Sequence, residues 1–385
     1  MKIAYIGNNY PEERMIINKV PEYNYVQLKR LNDPVFLFYR ICEYIFKSRF
    51  FKNKREFQSY NLFFPFVSGY NIIHHFNGLI YSNISWVSTF ESIFPADITN
   101  TEEEYLQYLN KAATHIQDSL CKGVIALSEW GFNQTLKYWK EYLPQKLYTD
   151  CRKKIFLINP PQQVLISKEE IERKFQNVNT LELVFVGREF QRKGGINLIN
   201  ALSKIKENRN FHLTIISDFK PSMYSNFTDF KMVDNEIIEQ IKSYEWITVL
   251  ENISNERVLQ ILKSAHIGFL PTYIDTYGFS VLEMQASGCP VVTTNINALS
   301  TINSSEEGWV IDLENYTNSY EIDYDNSINE ITSIIDYKLN KIVLEIFDNT
   351  DIECIKEKAL HCVDKIEKFH NPVDYQEQIK KIYNS

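Results

Sequence analysis

The sequence predicts an α/β fold made of two doubly wound domains that follow one another along the chain. Short apolar runs that suit buried strands alternate with helical segments over residues 1–158, and the alternation restarts over residues 183–294. Between the two lies a break at Pro160-Pro161, after which the chain stays polar as far as Thr180. The length of 385 residues also suits two domains better than one.

The bulk composition predicts a soluble globular protein of the cytoplasm. Hydrophobic residues make up 44% of the chain and charged residues 23%, which are ordinary values for globular domains. The net charge of −8 argues against broad nucleic-acid binding. The six cysteines form no C-x-x-C pair and no metal-binding spacing, which indicates reduced thiols. No uncharged apolar run reaches about 18 residues, and the N-terminal run is too short for a signal peptide, so we expect neither a membrane span nor a leader.

In the first half of the chain, three predicted strands end in residues that suit a ligand site. These strands cover residues 2–6, 70–76 and 86–90. Ligands of doubly wound folds bind beyond the carboxyl ends of the parallel strands, so the residues at these ends are candidates. The candidates are Gly7, His74, His75, Asn77, Glu91 and Ser92. A purely structural role stays open for the turn after Gly7 and for both histidines. Helices over 101–121 and 131–142 and strands over 123–127 and 155–158 complete this domain.

Residues 26–56 form a basic, aromatic stretch in an otherwise acidic chain, and we predict that the stretch is helical. Lys and Arg side chains interleave with Phe, Tyr, Leu and Ile, and only Asp33, Glu43 and Glu56 oppose them. This pattern indicates a surface that meets anionic lipid or a lipid-linked acceptor. The alternative is a surface helix with one face in the core and the other in water.

The second half of the chain carries two loops with the chemistry of an anion site. The first is residues 187–195, a glycine-containing loop that follows a strand over 183–186. Glycines allow close backbone approach, and Arg and Lys are the cations that bind phosphate oxygens. Arg188 and Lys193 are better placed for this than Arg192. The loop has neither the Walker pattern nor G-x-G-x-x-G, so the cations alone do not establish phosphate binding.

The second loop lies within residues 265–294, where a strand, a loop, a short helix over 280–286 and another strand follow one another. Asp275 and Glu283 place two carboxylates beside the start of this helix. The free N–H groups of a helix start bind anions such as phosphate. Two structural alternatives stay open. Ser280 and Glu283 fit a capping box, and Asp275 fits an Asx turn.

Taken together, the two loops resemble those of retaining family-4 glycosyltransferases, which have the two-domain GT-B fold. Residues 185–194 read F-V-G-R-x4-K-G and resemble the V-G-R…K-G loop of that family. Residues 275–292 resemble its E-x7-E motif with the trailing A-x-G-x-P-V. The clear resemblance covers roughly residues 181–300, and the first domain resembles the family in pattern only.

The resemblance implies two Rossmann-like domains that face a cleft. Residues 1–162 plus about 365–385 would form the acceptor-binding domain, and residues 178–364 the domain that binds the nucleotide sugar. A C-terminal helix would cross back to the first domain. Residues 373–384 suit that role, because Val373, Tyr375, Ile379 and Ile382 recur at helical spacing. Before this helix, residues 318–331 are polar and turn-rich, and helices follow from about residue 340.

The resemblance also assigns roles to individual residues of this chain. Arg188 and Lys193 would bind the donor's diphosphate and stabilise the leaving group, so that no metal and no other cofactor is needed. Glu283 would hydrogen-bond the ribose hydroxyls, and Asp275 would contact the donor sugar. The other donor-binding residues would be Gly7, Gly187, Asn252, Gly278, Phe279 and Ser280.

Two departures from the family pattern matter for the site. Asp275 stands where the family usually has Glu, so its side chain is one methylene shorter. Glu91 stands at the end of a first-domain strand where the family commonly has His, and we expect Glu91 to contact the donor sugar or the acceptor. Both departures bear on which sugar is transferred.

The function that follows from the resemblance is that of a retaining, metal-independent glycosyltransferase. It would move a sugar from a nucleoside diphosphate sugar, with UDP as the expected nucleotide, to a glycan or lipid-linked acceptor in surface polysaccharide or glycoconjugate synthesis. We expect a cytoplasmic protein that reaches the inner face of the membrane through residues 26–56 and has no nucleic-acid partner. One alternative is a catalytically silent GT-B subunit that binds a partner glycosyltransferase. Another is a sugar-phosphate or nucleotide-sugar enzyme on the same fold, such as an epimerase or a phosphorylase.

Overall fold

The computed structural model describes residues 1–6, 11–28, 34–47, 69–96, 102–219, 233–348 and 351–385. These residues form two compact units. The first consists of Met1–Pro161 with Pro372–Ser385, and the second of Gln162–Asn371. Within the described residues each unit has a six-stranded sheet, and neighbouring strands are parallel throughout. The predicted α/β fold with two doubly wound, Rossmann-like units is therefore confirmed.

The first unit alternates strands and helices around a sheet with the order β2-β1-β3-β4-β5-β6. Up to the end of its last strand, its described elements are β1 (Lys2–Tyr5), α1 (Pro11–Ile16), β2 (Asn24–Gln27), α2 (Pro34–Phe46), β3 (Ile72–Phe76), β4 (Ser85–Phe90), α3 (Glu102–Ile116), β5 (Cys121–Ala126), α4 (Glu129–Tyr142), α5 (Gln145–Arg152) and β6 (Ile155–Leu157). The core contains Trp86 from β4 and Trp139 from α4, both fully buried. The Trp139 indole N–H donates to the Phe94 carbonyl at 2.8 Å, so this large side chain is buried without an unsatisfied donor.

The second unit repeats the pattern with the strand order β12-β11-β10-β7-β8-β9. Its described elements are α6 (Lys168–Lys174), β7 (Leu181–Val186), α7 (Gly195–Ser203), a 3₁₀ turn (Lys206–Asn208), β8 (Phe211–Ile216), α8 (Asn235–Ser243), β9 (Ile247–Leu250), α9 (Asn255–Ser264), β10 (Ile267–Leu270), α10 (Phe279–Ala286), β11 (Val291–Thr294), α11 (Leu299–Ile302), β12 (Gly308–Ile311), α12 (Tyr324–Asp348) and α13 (Ile352–Phe369). Strands β7 and β10 are central neighbours, and Phe185 pairs with Phe269. The loops that leave their carboxyl ends therefore start side by side.

Several elements differ from the sequence-based prediction, which included neither α1, α11 nor β12 and also departs from the structure at β2, α5, α6 and α12. Strand β2 was missed because it is a half-exposed edge strand without an apolar run. Helices α5 and α6 were also missed, since each buries a single residue and shows no apolar periodicity. What stabilises helix α6 is the capping box that Ser167 and Glu170 form at its N-terminus. The turn-rich prediction for residues 318–331 is wrong from Tyr324 onward, because α12 starts there and buries one of its faces among many polar residues.

The boundary between the units lies at Pro161, one residue before the predicted end of the first domain. The second unit also includes residues 162–177 and 365–371, which the sequence analysis left outside it. One contact and one continuous helix explain this. Ile171 of α6 is fully buried and packs against Gly288 of the second unit. Helix α13 continues without a break to Phe369, so residues 365–369 stay with the rest of that helix.

The last helix, α14 (Pro372–Tyr383), belongs to the first unit, as predicted for a helix that returns to it. Its buried residues are Tyr375, Ile379, Ile382 and Tyr383, whereas Val373 is 60% exposed. The Tyr383 hydroxyl lies 2.5 Å from Nδ1 of His74, and the other ring nitrogen of His74 lies 2.6 Å from the Thr89 hydroxyl. Burial lowers the pKa of His74 to about 3, so the ring is neutral at physiological pH. The structural alternative for His74 is therefore correct: it ties α14 to the sheet.

The basic, aromatic stretch was predicted to be helical, and α2 forms within it, but the prediction is wrong for residues 26–27, which belong to edge strand β2. Residues 29–33 and 48–56 of that stretch lie outside the described part of the chain. Six large apolar side chains of α2 are more than 40% exposed. They are Leu37, Phe38, Ile41, Tyr44, Ile45 and Phe46. Across the residues described, no helix combines the length and the apolar character that crossing a membrane requires.

Candidate functional site

The loop after β7, residues 187–194, folds back on itself before α7 begins. The Lys193 N–H donates to the Glu189 carbonyl at 3.1 Å, and the Gly194 N–H donates to the Gln191 carbonyl at 2.9 Å. Gly194 has φ = 78°, in the left-handed region. A Cβ atom at this position would lie 2.1 Å from the Pro271 carbonyl oxygen. Only glycine therefore lets this loop approach so closely to the loop that follows β10.

Lys193 and Asp275 meet where these two loops touch. The Lys193 Nζ lies 2.5 Å from an Asp275 carboxylate oxygen, and the two side chains are 13% and 12% exposed. Burial lowers the pKa of Lys193, and the Asp275 charge acts in the opposite direction by favouring the ammonium form. The structure thus brings together two residues that the sequence assigned to the same site, although they lie 82 positions apart. It also gives the Asp275 carboxylate a partner from another loop, where an Asx turn would use a local N–H.

The three cations of the 187–194 loop have different environments. Arg188 is exposed, and within the part of the chain that the structure describes its guanidinium has no ion pair or hydrogen bond. Arg192, in contrast, is buried and paired with Glu189. Lys193 lies between these extremes, since 13% of its side chain is exposed. Arg192 is thus occupied by partners inside the protein, and the assignment of Arg188 and Lys193 to a ligand stays a prediction.

Glu283 lies on α10, whose first residue is Phe279. The N-cap is Gly278, with φ = 94° and no side-chain cap. Because Ser280 lies inside the helix, the capping-box alternative for Ser280 and Glu283 is wrong. The Glu283 carboxylate is half-buried and accepts from the amide of Asn255, at the start of α9, at 3.2 Å.

Three loops of the second unit leave the carboxyl ends of their strands and carry the predicted donor-site residues. Gly187 and Arg188 follow β7, Asn252 follows β9, and Asp275 follows β10. Carboxyl ends of parallel strands are where ligands of doubly wound sheets bind. Asn252 is exposed and has φ = 54°. The N–H groups of Phe279 and Ser280 lie in the first turn of α10, where helix N–H groups have no partner within the helix.

Asn297 is a site residue that the sequence analysis missed. It is fully buried, has φ = 48°, and its amide donates to the Asp275 carbonyl at 2.8 Å and to the Ser319 hydroxyl at 2.6 Å. The Ser319 N–H donates back to its side-chain oxygen at 2.9 Å. Asn297 therefore holds the backbone of the Asp275 loop in place and leaves the Asp275 carboxylate to Lys193. Nothing in the local sequence marks this role, since the contact spans 22 residues.

The first-unit candidates lie at the ends of β3 and β4. Glu91 is 3% exposed and follows β4, and its N–H donates to the side-chain oxygen of Asn77 at 3.2 Å. Gly131 of α4 packs against this turn, because a Cβ there would lie 2.9 Å from the Glu91 carbonyl oxygen. His75 and Ser92 are buried as well. Gly7 lies outside the described residues.

None of the His, Cys, Asp and Glu side chains that the structure describes form a group of three or more able to hold a metal ion. The groups gathered at the second-unit loops are cations, backbone N–H donors and two separate carboxylates. Such a set can bind an anionic, hydroxyl-bearing ligand: cations and N–H groups donate hydrogen bonds to phosphate oxygens, and carboxylates accept hydrogen bonds from hydroxyl groups.

Comparison with known proteins connects this site to a family. Residues 167–321 match the family model described as "Glycosyl transferases group 1". A D-inositol 3-phosphate glycosyltransferase of Pseudarthrobacter chlorophenolicus is 25% identical over 154 residues, covering 38% of this chain and 35% of that protein. A glycosyltransferase of Methanocaldococcus jannaschii, described as uncharacterized, is 27% identical over 120 residues, or 31% of this chain and 28% of that one. The chain thus spans about a third of the length of these relatives.

Solved structures match along the whole chain. A glycosyltransferase from Rickettsia africae has a TM-score of 0.59 at 16% identity and covers 100% of this chain and 97% of its own. The sucrose-phosphate synthase of Thermosynechococcus elongatus has a TM-score of 0.61 at 14% identity, with 100% and 98% covered. Anabaena HepE, solved in complex with UDP and glucose, has a TM-score of 0.57 at 12% identity, with 100% and 99% covered. The chain therefore has the GT-B fold of these proteins, and residues 167–321, all within its second unit, are similar to the group 1 glycosyltransferase model.

Proposed function

We propose that this chain is a retaining glycosyltransferase that moves a sugar from a nucleoside diphosphate sugar to a glycan or lipid-linked acceptor. The observation that carries the proposal is the pairing of Lys193 with Asp275, between two loops that both belong to the group 1 glycosyltransferase match. The exposed Arg188 on the same loop supports it.

In this proposal Lys193 and Arg188 bind the diphosphate and stabilise the charge that develops on it as the glycosidic bond breaks. A preorganised cation at a largely water-excluded position stabilises such charge far better than water does. The sugar then passes through an oxocarbenium-like transition state, as in glycoside hydrolysis. With two cations and the N–H groups of Phe279 and Ser280 available, the leaving diphosphate needs no metal ion.

The carboxylates would bind the hydroxyl groups of the donor. Glu283, which already accepts from Asn255, would take the ribose hydroxyls, and Asp275 the sugar hydroxyls. Gly187 and Gly278 would allow close backbone approach, and Asn252 would lie beside the base. UDP is the expected nucleotide, and the complex of Anabaena HepE with UDP and glucose supports it. Gly7 and Glu91 stay predictions for contacts with the donor sugar or the acceptor.

The experiment is to incubate the purified chain with UDP-, GDP-, ADP- and dTDP-sugars, with and without EDTA, and to measure the nucleotide that is freed as the sugar passes to water in place of the acceptor. We expect UDP release from at least one UDP-sugar, at the same rate with and without EDTA. Release that stops in EDTA would contradict metal independence. A chain that binds UDP in calorimetry but releases none would be the catalytically silent subunit. A chain that neither binds nor releases any nucleotide would contradict the donor site altogether.

We further propose that the acceptor is reached at an anionic membrane surface, in cytoplasmic synthesis of a surface polysaccharide or glycoconjugate. The support is α2, where Leu37, Ile41, Tyr44 and Ile45 recur at helical spacing and are 42–86% exposed. Lys47 follows them at the end of the helix.

Sedimentation with vesicles that contain phosphatidylglycerol tests the membrane contact. We expect the chain to sediment with them and the double variant Ile41→Ser, Tyr44→Ser to stay in solution. The control is Tyr337→Ser, which changes a 61% exposed tyrosine of the second unit and should leave sedimentation unchanged. Equal sedimentation of wild type and double variant would contradict the proposal.

A further inference from the structure

Arg192 precedes Lys193 in the chain, but its side chain is buried and bonded to other groups of the protein. The side chain is 7% exposed, and its Nε donates to the Glu189 carboxylate at 2.5 Å. A terminal nitrogen of the same guanidinium donates to the Ile274 carbonyl. Arg192 therefore has both a carboxylate and a carbonyl as partners, the second of them in the residue next to Asp275.

The backbone of Arg192 binds the same loop as its side chain. Its carbonyl oxygen accepts from the Tyr273 N–H at 3.0 Å, while the guanidinium reaches the Ile274 carbonyl. The Thr272 hydroxyl donates to that carbonyl as well, at 2.8 Å. Lys193 follows Arg192 in the first loop, and Asp275 follows Ile274 in the second. The bonds of Arg192 therefore fix how the Lys193 and Asp275 side chains face each other.

Glu189 completes the arrangement. Its φ of 57° is in the left-handed region, which is unfavourable for residues other than glycine. Such a conformation persists only where surrounding contacts impose it. Two contacts do so here: its carbonyl accepts from the Lys193 N–H, and its carboxylate accepts from Arg192. The strained residue and its partner thus close the loop that presents Lys193.

We propose that Arg192 is a positioning residue that joins the 187–194 loop to the 271–275 loop, so that Lys193 is presented to the donor diphosphate. Arg192 itself does not touch the diphosphate, although it is a cation in a phosphate-binding loop. This inference rests on the proposed function for the identity of the ligand, but the connection between the loops is a property of the protein alone.

Hydrogen–deuterium exchange without any nucleotide tests the connection. In Arg192→Met we expect faster exchange of the amides in residues 187–194 and 271–278, including the Tyr273 N–H, and unchanged exchange in β8 and β9. The control is Lys204→Met, which removes an exposed cation of the same region whose Nζ donates to Asn340 at 3.0 Å. Unchanged exchange at 271–278 in Arg192→Met would overturn the proposal, whatever the nucleotide results.

A double-mutant cycle with UDP as the probe separates positioning from direct contact. We expect Arg192→Met to weaken UDP binding about 10-fold in the wild-type background and less than about 2-fold in a Lys193→Met background, because coupled residues are not additive. Equal losses in both backgrounds would mean that Arg192 contacts the diphosphate itself. Arg192→Lys keeps the charge and can donate to one of the two partners of Arg192. We expect its affinity for UDP to lie between those of Arg192→Met and the wild type.

Glu189→Gln gives a test in which the two explanations predict opposite signs. Removing a carboxylate from a diphosphate site strengthens binding if long-range charge alone matters. If Glu189 acts by holding Arg192, the same substitution weakens UDP binding. Tighter binding by Glu189→Gln would contradict the proposal. If the wild type binds no UDP, the donor assignment fails, while the exchange experiment still decides the role of Arg192.

Discussion

Lys193→Met is expected to lower the rate of nucleotide release by about 10²–10³-fold, the loss seen when one preorganised donor to a developing anion is removed. Methionine keeps the length and the apolar stem of the side chain and removes only the ammonium group. The Lys193 side chain is 13% exposed, and the Asp275 carboxylate positions its ammonium group before any ligand arrives. The measurement is kcat for nucleotide release from the best donor sugar, together with the unfolding midpoint of the variant.

A second substitution is needed to separate the loss of turnover in Lys193→Met from a loss of stability. Removing Lys193 leaves the mostly buried Asp275 without its partner, and breaking a buried pair from one side is destabilising. In the double variant Lys193→Met, Asp275→Asn neither charge remains. We expect its stability to recover and its turnover to stay low. Turnover near the wild-type level in a folded double variant would remove Lys193 from the mechanism.

Gly194→Ala is expected to lower the free energy of unfolding of the second unit by about 2–4 kcal/mol, in the upper range of single substitutions. Alanine pays a conformational cost at φ = 78°, and its Cβ would also lie 2.1 Å from the Pro271 carbonyl oxygen. The loops must separate to make room, so the Lys193–Asp275 contact is lost as well. Urea titrations followed by tryptophan fluorescence, fitted with one transition for each unit, measure the effect.

Gly69→Ala is the matched control, because Gly69 also has a left-handed φ, of 90°, but no atom of the residues that the structure describes lies within 4 Å of a Cβ built on it. Only the conformational cost applies there, about 1–2 kcal/mol. The difference between the two variants therefore reports the contact of Gly194 with Pro271. Equal losses would show that the two loops yield freely, which would also weaken the argument for Arg192.

Much of the fold could be read from local sequence. Strands such as β7 and β10 are apolar runs buried on both faces, and the breaks after them are marked by Gly187 and Pro271. Helices α5 and α6 could not be read this way. Their residues are nearly all polar, and α6 is held by a cap at Ser167 and one buried side chain, Ile171. Periodicity detects an element only when the element buries a whole face.

The sequence predicts which residues form the proposed site, but not the contacts that these residues make. The spacing of Arg188, Lys193, Asp275 and Glu283 follows a family pattern, and all four lie in the region that matches the group 1 model. Asn297, which holds the Asp275 loop, has no such signal. It acts through a buried side-chain amide on a backbone carbonyl, a contact that any sequence position could supply.

The sequence by itself determined the α/β class, the two units and the two loops that carry the cations and the carboxylates. Those features depend on local apolar runs, on turn residues and on motif spacing, which the chain displays along its length. Only the tertiary structure decided what each cation does. Arg188, Arg192 and Lys193 carry the same charge within six residues, yet one is exposed, one is buried against Glu189 and Ile274, and one is paired with Asp275. The partners that separate Arg192 from Lys193 come from a loop 82 residues away, which reaches them because β7 and β10 are neighbours in the sheet.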